Sequence, residues 1–104
     1  KDCDFYVGNA ENYKPIINYD VVSCMFAFHE MPLEAQYKVI DNAIKIAKEE
    51  VIIIDIATTY KPKDIMIRGE PYLIDYLDTI DNTLCNFDKI NYIENHVCIW
   101  KYKK

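Results

Sequence analysis

Residues 20–32 read DVVSCMFAFHEMP, and the rest of the chain is organised around them. Val21, Val22, Cys24, Met25 and Phe26 form an apolar run, the mark of a strand buried on both faces. The run breaks into Phe28-His29-Glu30-Met31-Pro32, and Leu33 opens an amphipathic helix. A strand, a loop with a His-Glu pair and a helix thus follow one another. In open α/β sheets, ligands bind beyond the carboxyl ends of strands, on loops of this kind.

The helix is expected over Leu33 to Glu50. Leu33, Tyr37, Ile40, Ile44 and Ala47 step by four and three residues and make one apolar stripe. Lys38, Asp41, Asn42, Lys45 and Lys48 take the other side. Pro32 suits the first turn, where its missing N–H is not needed. Val51 to Ile56 (VIIIDI) is a second apolar strand. Two buried strands joined by a helix make a βαβ unit with a parallel pair and a right-handed crossover. Such a pair calls for helices on both faces. The fold class is therefore α/β, a partial doubly wound sheet.

Outward from this unit, Cys3 to Val7 is a short strand candidate. Gly8-Asn9-Ala10-Glu11-Asn12 follows as a turn, since Asn side chains bond nearby backbone. Beyond VIIIDI, Thr58 to Gly69 reads as a functional loop. A helix is expected from Tyr72 to about Cys85, with Leu73, Tyr76, Leu77, Ile80 and Leu84 on one face. Lys89 to Tyr102 reads as an antiparallel hairpin turning at Glu94-Asn95. Its second strand alternates Cys98, Trp100 and Tyr102 with Ile99, Lys101 and Lys103.

The totals bound the function. A chain of 104 residues makes one small domain. Its 17 acidic and 12 basic side chains leave a net charge of -5, and the one basic cluster is Lys101, Lys103 and Lys104. Nucleic acid is not an expected partner, because phosphate binding needs a basic face. A cationic ligand would be tolerated. Cys3, Cys24, Cys85 and Cys98 lie far apart without a CxxC pair. They read as reduced thiols of a cytoplasmic protein, with no metal-ligand spacing. The longest apolar run, Val51 to Ile54, is too short to span a membrane. The chain opens at Lys1 and runs at once toward a strand, as expected of a fragment.

The order of these elements resembles the carboxyl-terminal half of a class I S-adenosylmethionine-dependent methyltransferase. The resemblance covers essentially all 104 residues as one part of a single domain. Gly8-Asn9-Ala10-Glu11 resembles the family's Gly-Asp-Ala-Glu turn, which implies that Asn9 and Ala10 face the adenine of the cofactor. Asp20 to Pro32 resembles the family's fourth strand and loop, which implies that Ser23, Cys24 and Met25 approach the methionine and ribose of S-adenosyl-L-methionine. A simple Asx turn explains the tetrapeptide equally well.

The family's glycine-rich loop and its ribose-binding acid have no counterpart here. The chain alone is therefore expected to be inactive. Without the family's first two strands, the strand from Asp20 becomes a bare apolar edge. Such an edge invites pairing with another copy or with the missing amino-terminal half.

Methyl transfer needs positioning and water exclusion more than acid–base machinery. His29 is the catalytic candidate, since its ordinary pKa lies near neutrality. A packing residue at the loop-to-helix junction is the alternative. Glu30, Tyr60 and Arg68 are the substrate-side candidates, and Asp55 is expected to cap or to pair, for instance with Arg68. The methyl acceptor is left open. The competing function class is a non-catalytic, methyltransferase-like module that binds a partner through its open sheet edge.

Overall fold

The computed structural model describes residues 3–104; Lys1 and Asp2, which carry the expectation of an interrupted start, lie outside it. The opening stretch forms β1, Tyr19–Met25. A 3-10 turn, Phe28–Glu30, leads to α1, Leu33–Ile46. The chain returns as β2, Ala47–Ile56, parallel to β1, with Val22 opposite Val51 and Cys24 opposite Ile53. After α2, Asp64–Gly69, and α3, Leu73–Thr83, the hairpin β3, Asp88–Ile93, and β4, Val97–Lys103, completes the sheet. The strand order is β1-β2-β4-β3, with β4 antiparallel to both of its neighbours.

Strand alternation separates two faces. Val22, Cys24, Val51, Ile53, Cys98 and Trp100 share one of them, by register. Val39, Ile40 and Ala43 of α1 cover that face together with Leu73, Tyr76 and Ile80 of α3. Each large side chain fully buried there stabilises the fold by about 1.5–3 kcal/mol. Two polar groups at its margin are paired. The Tyr76 hydroxyl donates to the Ile56 carbonyl, and Trp100 Nε1–H donates to Asp81 Oδ1 at 3.2 Å.

The other face carries Val21 and Met25, Ile52 and Ile54, Ile99 and Ile90, by the same register. Neither α1 nor α3 reaches it. Val21, Met25 and Ile90 stay 47%, 58% and 46% exposed. The α/β class stands, but helices on both faces are not found among the described residues. For the same reason β1 is buried on one face only.

Three local expectations change. The helix stops at Ile46 rather than Glu50, because Ala47 is already extended (φ -82°, ψ 137°). Lys48, Glu49 and Glu50 favour helix, but β2 recruits them by pairing Glu50 with Val21 and Lys103. Lys104 Nζ donates to the carbonyls of Ile44 and Ala47 and so satisfies the end of α1. The connection Thr58–Gly69 contains the short helix α2 rather than loop throughout. Cys3 to Val7 forms no strand, having no partner strand beside it. The hairpin turns where expected, with Asn95 at φ 62°, a conformation Asn tolerates.

Candidate functional site

Asp55 is the lone acid in VIIIDI, and the alternation that buries Val51 and Ile53 buries it as well. A buried carboxylate needs donors, and it finds three. The Phe28 N–H donates to Oδ2 at 2.9 Å, and the N–H of Ile56 donates to Oδ1 at 2.7 Å. The third is His29 Nδ1, 2.7 Å from Oδ1. With the Asp55 carboxylate as acceptor, Nδ1 carries the hydrogen of this contact. The other ring nitrogen, Nε2, faces Glu70 Oε1 at 3.5 Å.

Three segments build this cluster: the turn after β1, the end of β2 and the junction of α2 with α3. Phe26 makes it possible. It bonds the Ile54 carbonyl through its N–H and then adopts φ 53°, which turns the chain back over β2. A left-handed conformation at a non-glycine residue costs about 1–2 kcal/mol. The Tyr76 ring meets the His29 ring edge-on at 6.2 Å. The His29 side chain is 12% exposed, and the Asp55 bond fixes its ring.

A second feature lies beside it. A cleft of about 320 Å³ opens between the segment Tyr6–Tyr13, β1 and α1. Ala10, Ser23 and Cys24 line it together, with Val39 and Ala43 as its floor. Asn42 ties the segment down by donating to the carbonyls of Ala10 and Tyr13 at 3.1 and 2.9 Å. Asn9 closes an Asx turn, its Oδ1 accepting the Glu11 N–H at 3.0 Å. Burial, with a smaller contribution from the negative charge of Asp55, pushes the Cys24 thiol up to about 11. The wall it contributes is therefore uncharged.

The anticipated residues thus fall into separate places. Ala10, Ser23 and Cys24 converge on the cleft, and Asn9 flanks it between two lining residues, Gly8 and Ala10. Met25 alternates onto the uncovered face of the sheet. Glu30 is exposed on the 3-10 turn, and Arg68 is exposed on α2. Tyr60 donates its hydroxyl to Met66 Sδ at 3.2 Å. Asp55 holds His29, where the sequence had offered Arg68 as its partner. Two clues pointed to the Asp55–His29 pair. A single acid in a buried strand requires a donor, and the parallel neighbour of that strand leads directly into His29.

No protein-family model matches the chain, and neither does any curated protein sequence. Solved structures do match. The N-methyltransferase NodS from Bradyrhizobium japonicum WM9 superposes with TM-score 0.54 and 8% identity, over 91% of this chain and 56% of its own. The magnesium protoporphyrin IX methyltransferase ChlM from Synechocystis PCC 6803, solved with bound SAH, superposes with TM-score 0.57 and 16% identity, over 93% of this chain and 48% of its own. The chain therefore has a methyltransferase-like fold of the α/β Rossmann-like type. It spans about half the length of the structures it matches.

Proposed function

We propose that these residues are the carboxyl-terminal half of a single-domain, S-adenosyl-L-methionine-dependent methyltransferase of the cytoplasm. The observation that carries the reading is the Asp55–His29 pair at the carboxyl ends of two parallel strands, in a fold shared with methyltransferases. Ligands of doubly wound sheets bind at that edge. One matched structure holds SAH, the demethylated form of the cofactor.

The described residues fit one wall of a cofactor pocket. The cleft is mostly apolar, within the size range of small-molecule sites. Ala10, Ser23 and Cys24 would meet the cofactor there, with Asn9 at its rim. No acid among the residues lining the cleft is placed to hold ribose hydroxyls. The other wall belongs to the remainder of the proposed domain, and residues 1–104 alone are expected to be inactive.

When bound, the cofactor supplies a methyl group on a positively charged sulfur. The chain's own contribution is a proton acceptor. Asp55 fixes the His29 ring and leaves Nε2 free to take a proton from the acceptor atom. The Tyr76 ring packs edge-on against the His29 ring and keeps water from that side. Glu30, Tyr60 and Arg68 remain candidates for the substrate side of this edge.

Transfer of tritium from S-adenosyl-[methyl-3H]methionine, in the longest natural form of the protein, tests the assignment. His29→Ala is expected to lose about 10²–10⁴-fold in turnover, the usual contribution of one acid–base group, while cofactor affinity holds. Undiminished turnover would remove His29 from the chemistry.

A second reading draws on the open edge of β1, where Val21 and Met25 stand exposed. In it, the module binds a second copy or another half through that edge. Sedimentation separates the two. A monomer at tens of micromolar would contradict self-association, and a stable dimer without cofactor affinity would favour the binding module.

A further inference from the structure

The turn that carries His29 is held from two sides. From β2, Asp55 accepts the Phe28 N–H at Oδ2 and the His29 Nδ1–H at Oδ1. From α1, Gln36 reaches back over the turn. Its Nε2 donates to the Phe28 carbonyl at 3.0 Å and to the Met31 carbonyl at 3.1 Å. Those two carbonyls bracket His29 and Glu30. Helical side chains lean toward the amino terminus of their helix, so a residue in the first turn of α1 meets the segment just before it.

We infer that Gln36 is the positioning residue of the His29 site: by fixing both ends of the turn from α1, it sets where the imidazole stands. This rests on the methyl-transfer reading for its effect on rate, and on geometry alone for its effect on the ring.

The choice of side chain supports the assignment. Gln36 is 1% exposed, on a helix that also buries Val39, Ile40 and Ala43. The two carbonyls around Nε2 decide the orientation of the amide, since Oε1 in that place would face two acceptors. Oε1 itself is buried and finds no hydrogen-bond partner among the described residues. An unpaired buried oxygen is destabilising, and a hydrocarbon of equal length would fill the space without it. The amide is therefore kept for its NH2 end. The Phe28 carbonyl does not depend on Gln36 to be satisfied, because it already accepts the Met31 N–H at 3.0 Å. Asparagine is one methylene shorter, and an ionised glutamate offers only acceptors.

What the two bonds add is a fixed relation between α1 and the turn. Phe28 has its N–H on β2 and its carbonyl on α1, and His29 follows directly. Misplacing a reacting group by about 1 Å can cost on the order of 10²-fold in rate. Gln36 does not line the cleft, so the effect should fall on turnover and spare cofactor binding.

The test is Gln36→Met in the longest natural form of the protein. Methionine matches the length and buries no unpaired polar atom, so the variant is expected to melt with the wild type. In 15N-labelled protein, solvent exchange of the His29 Nδ1–H is expected to quicken about tenfold or more while the β2 amides keep their protection. In the tritium assay, kcat is expected to fall about tenfold or more, with KM for S-adenosyl-L-methionine unchanged. Gln36→Leu repeats both readings with a second hydrocarbon.

Unchanged ring exchange in a folded variant would overturn the inference. So would a lowered melting curve with ring and β2 exchange quickening together, the mark of a purely structural role. His29→Ala in the same assay separates the two proposals. If it keeps full turnover, the role of His29 in methyl transfer falls, and a loosened ring in Gln36→Met still upholds Gln36. If it loses turnover and Gln36→Met does not, the positioning role fails and methyl transfer stands.

Discussion

Replacing Asp55 should reveal how much of the fold hangs on one carboxylate. In Asp55→Ala the N–H groups of Phe28 and Ile56 lose their acceptor, and Phe28 is fully buried. Each orphaned buried donor costs about 1–3 kcal/mol, so the variant is expected to lose about 2–6 kcal/mol. Domains of this size hold about 5–15 kcal/mol in total, so the loss is a large share. Asp55→Asn keeps one acceptor oxygen and points an amide NH2 where the second acceptor stood. It is expected to cost about 1–3 kcal/mol. Its NH2 donates to His29 Nδ1, which drives the ring proton to Nε2 and removes the lone pair the mechanism needs. Urea unfolding gives the energies, and long-range 15N correlation spectra give the tautomer. A loss below about 1 kcal/mol in Asp55→Ala, or a wild-type ring already protonated on Nε2 alone, would refute the reasoning.

Further outcomes follow from single observations. At pH 8 the Cys24 thiol, raised to about 11, is only about 0.1% thiolate, so iodoacetamide should label it roughly a hundredfold more slowly than exposed Cys3 and Cys85. Because its folded pKa lies above that of a free thiol, Cys24 stabilises the fold below about pH 8.5 and loses that contribution as pH rises toward 11. Cys24→Ala should therefore flatten the stability profile over that window in denaturant melts. Phe26→Val is expected to cost about 1–2 kcal/mol, since a β-branched residue resists φ 53°, and Phe26→Asn should cost less; equal costs would mean that packing, not backbone conformation, governs the position. Asn42→Ala removes two bonds to the Ala10 and Tyr13 carbonyls and is expected to speed amide exchange in residues 8–13 while the β2 amides stay protected.

The parts of this structure that could be read from residues alone are those whose signal is local and periodic. The helix after Pro32, the apolar run of VIIIDI and the alternation of Cys98, Trp100 and Tyr102 appear as expected. The face α1 buries differs from the expected stripe: Gln36, Val39, Ile40, Asn42 and Ala43 are buried, while Leu33 and Tyr37 stay exposed. Readings failed where a distant partner decides. Lys48 to Glu50 favour helix, yet pairing with β1 and β4 makes them strand. Cys3 to Val7 has strand composition but no strand to pair with. The site divides in the same way. His29 stood out as a titratable side chain on a loop at the carboxyl end of a strand. Asp55 stood out as an acid that should cap or pair, but not as the partner of His29, because 26 residues separate the two, and Glu70 meets the ring only through the packing of the α2–α3 junction.

The central claim is that these residues form one wall of a cofactor site, and calorimetric titration of S-adenosylhomocysteine into the longest natural form of the protein tests it most directly. Saturable binding at one molecule per chain is expected, weakened at least tenfold by Cys24→Phe, which adds bulk to the cleft from the α1-covered face of β1. The absence of saturable heat in a well-folded sample, or binding indifferent to Cys24→Phe in a variant that still folds, would contradict it.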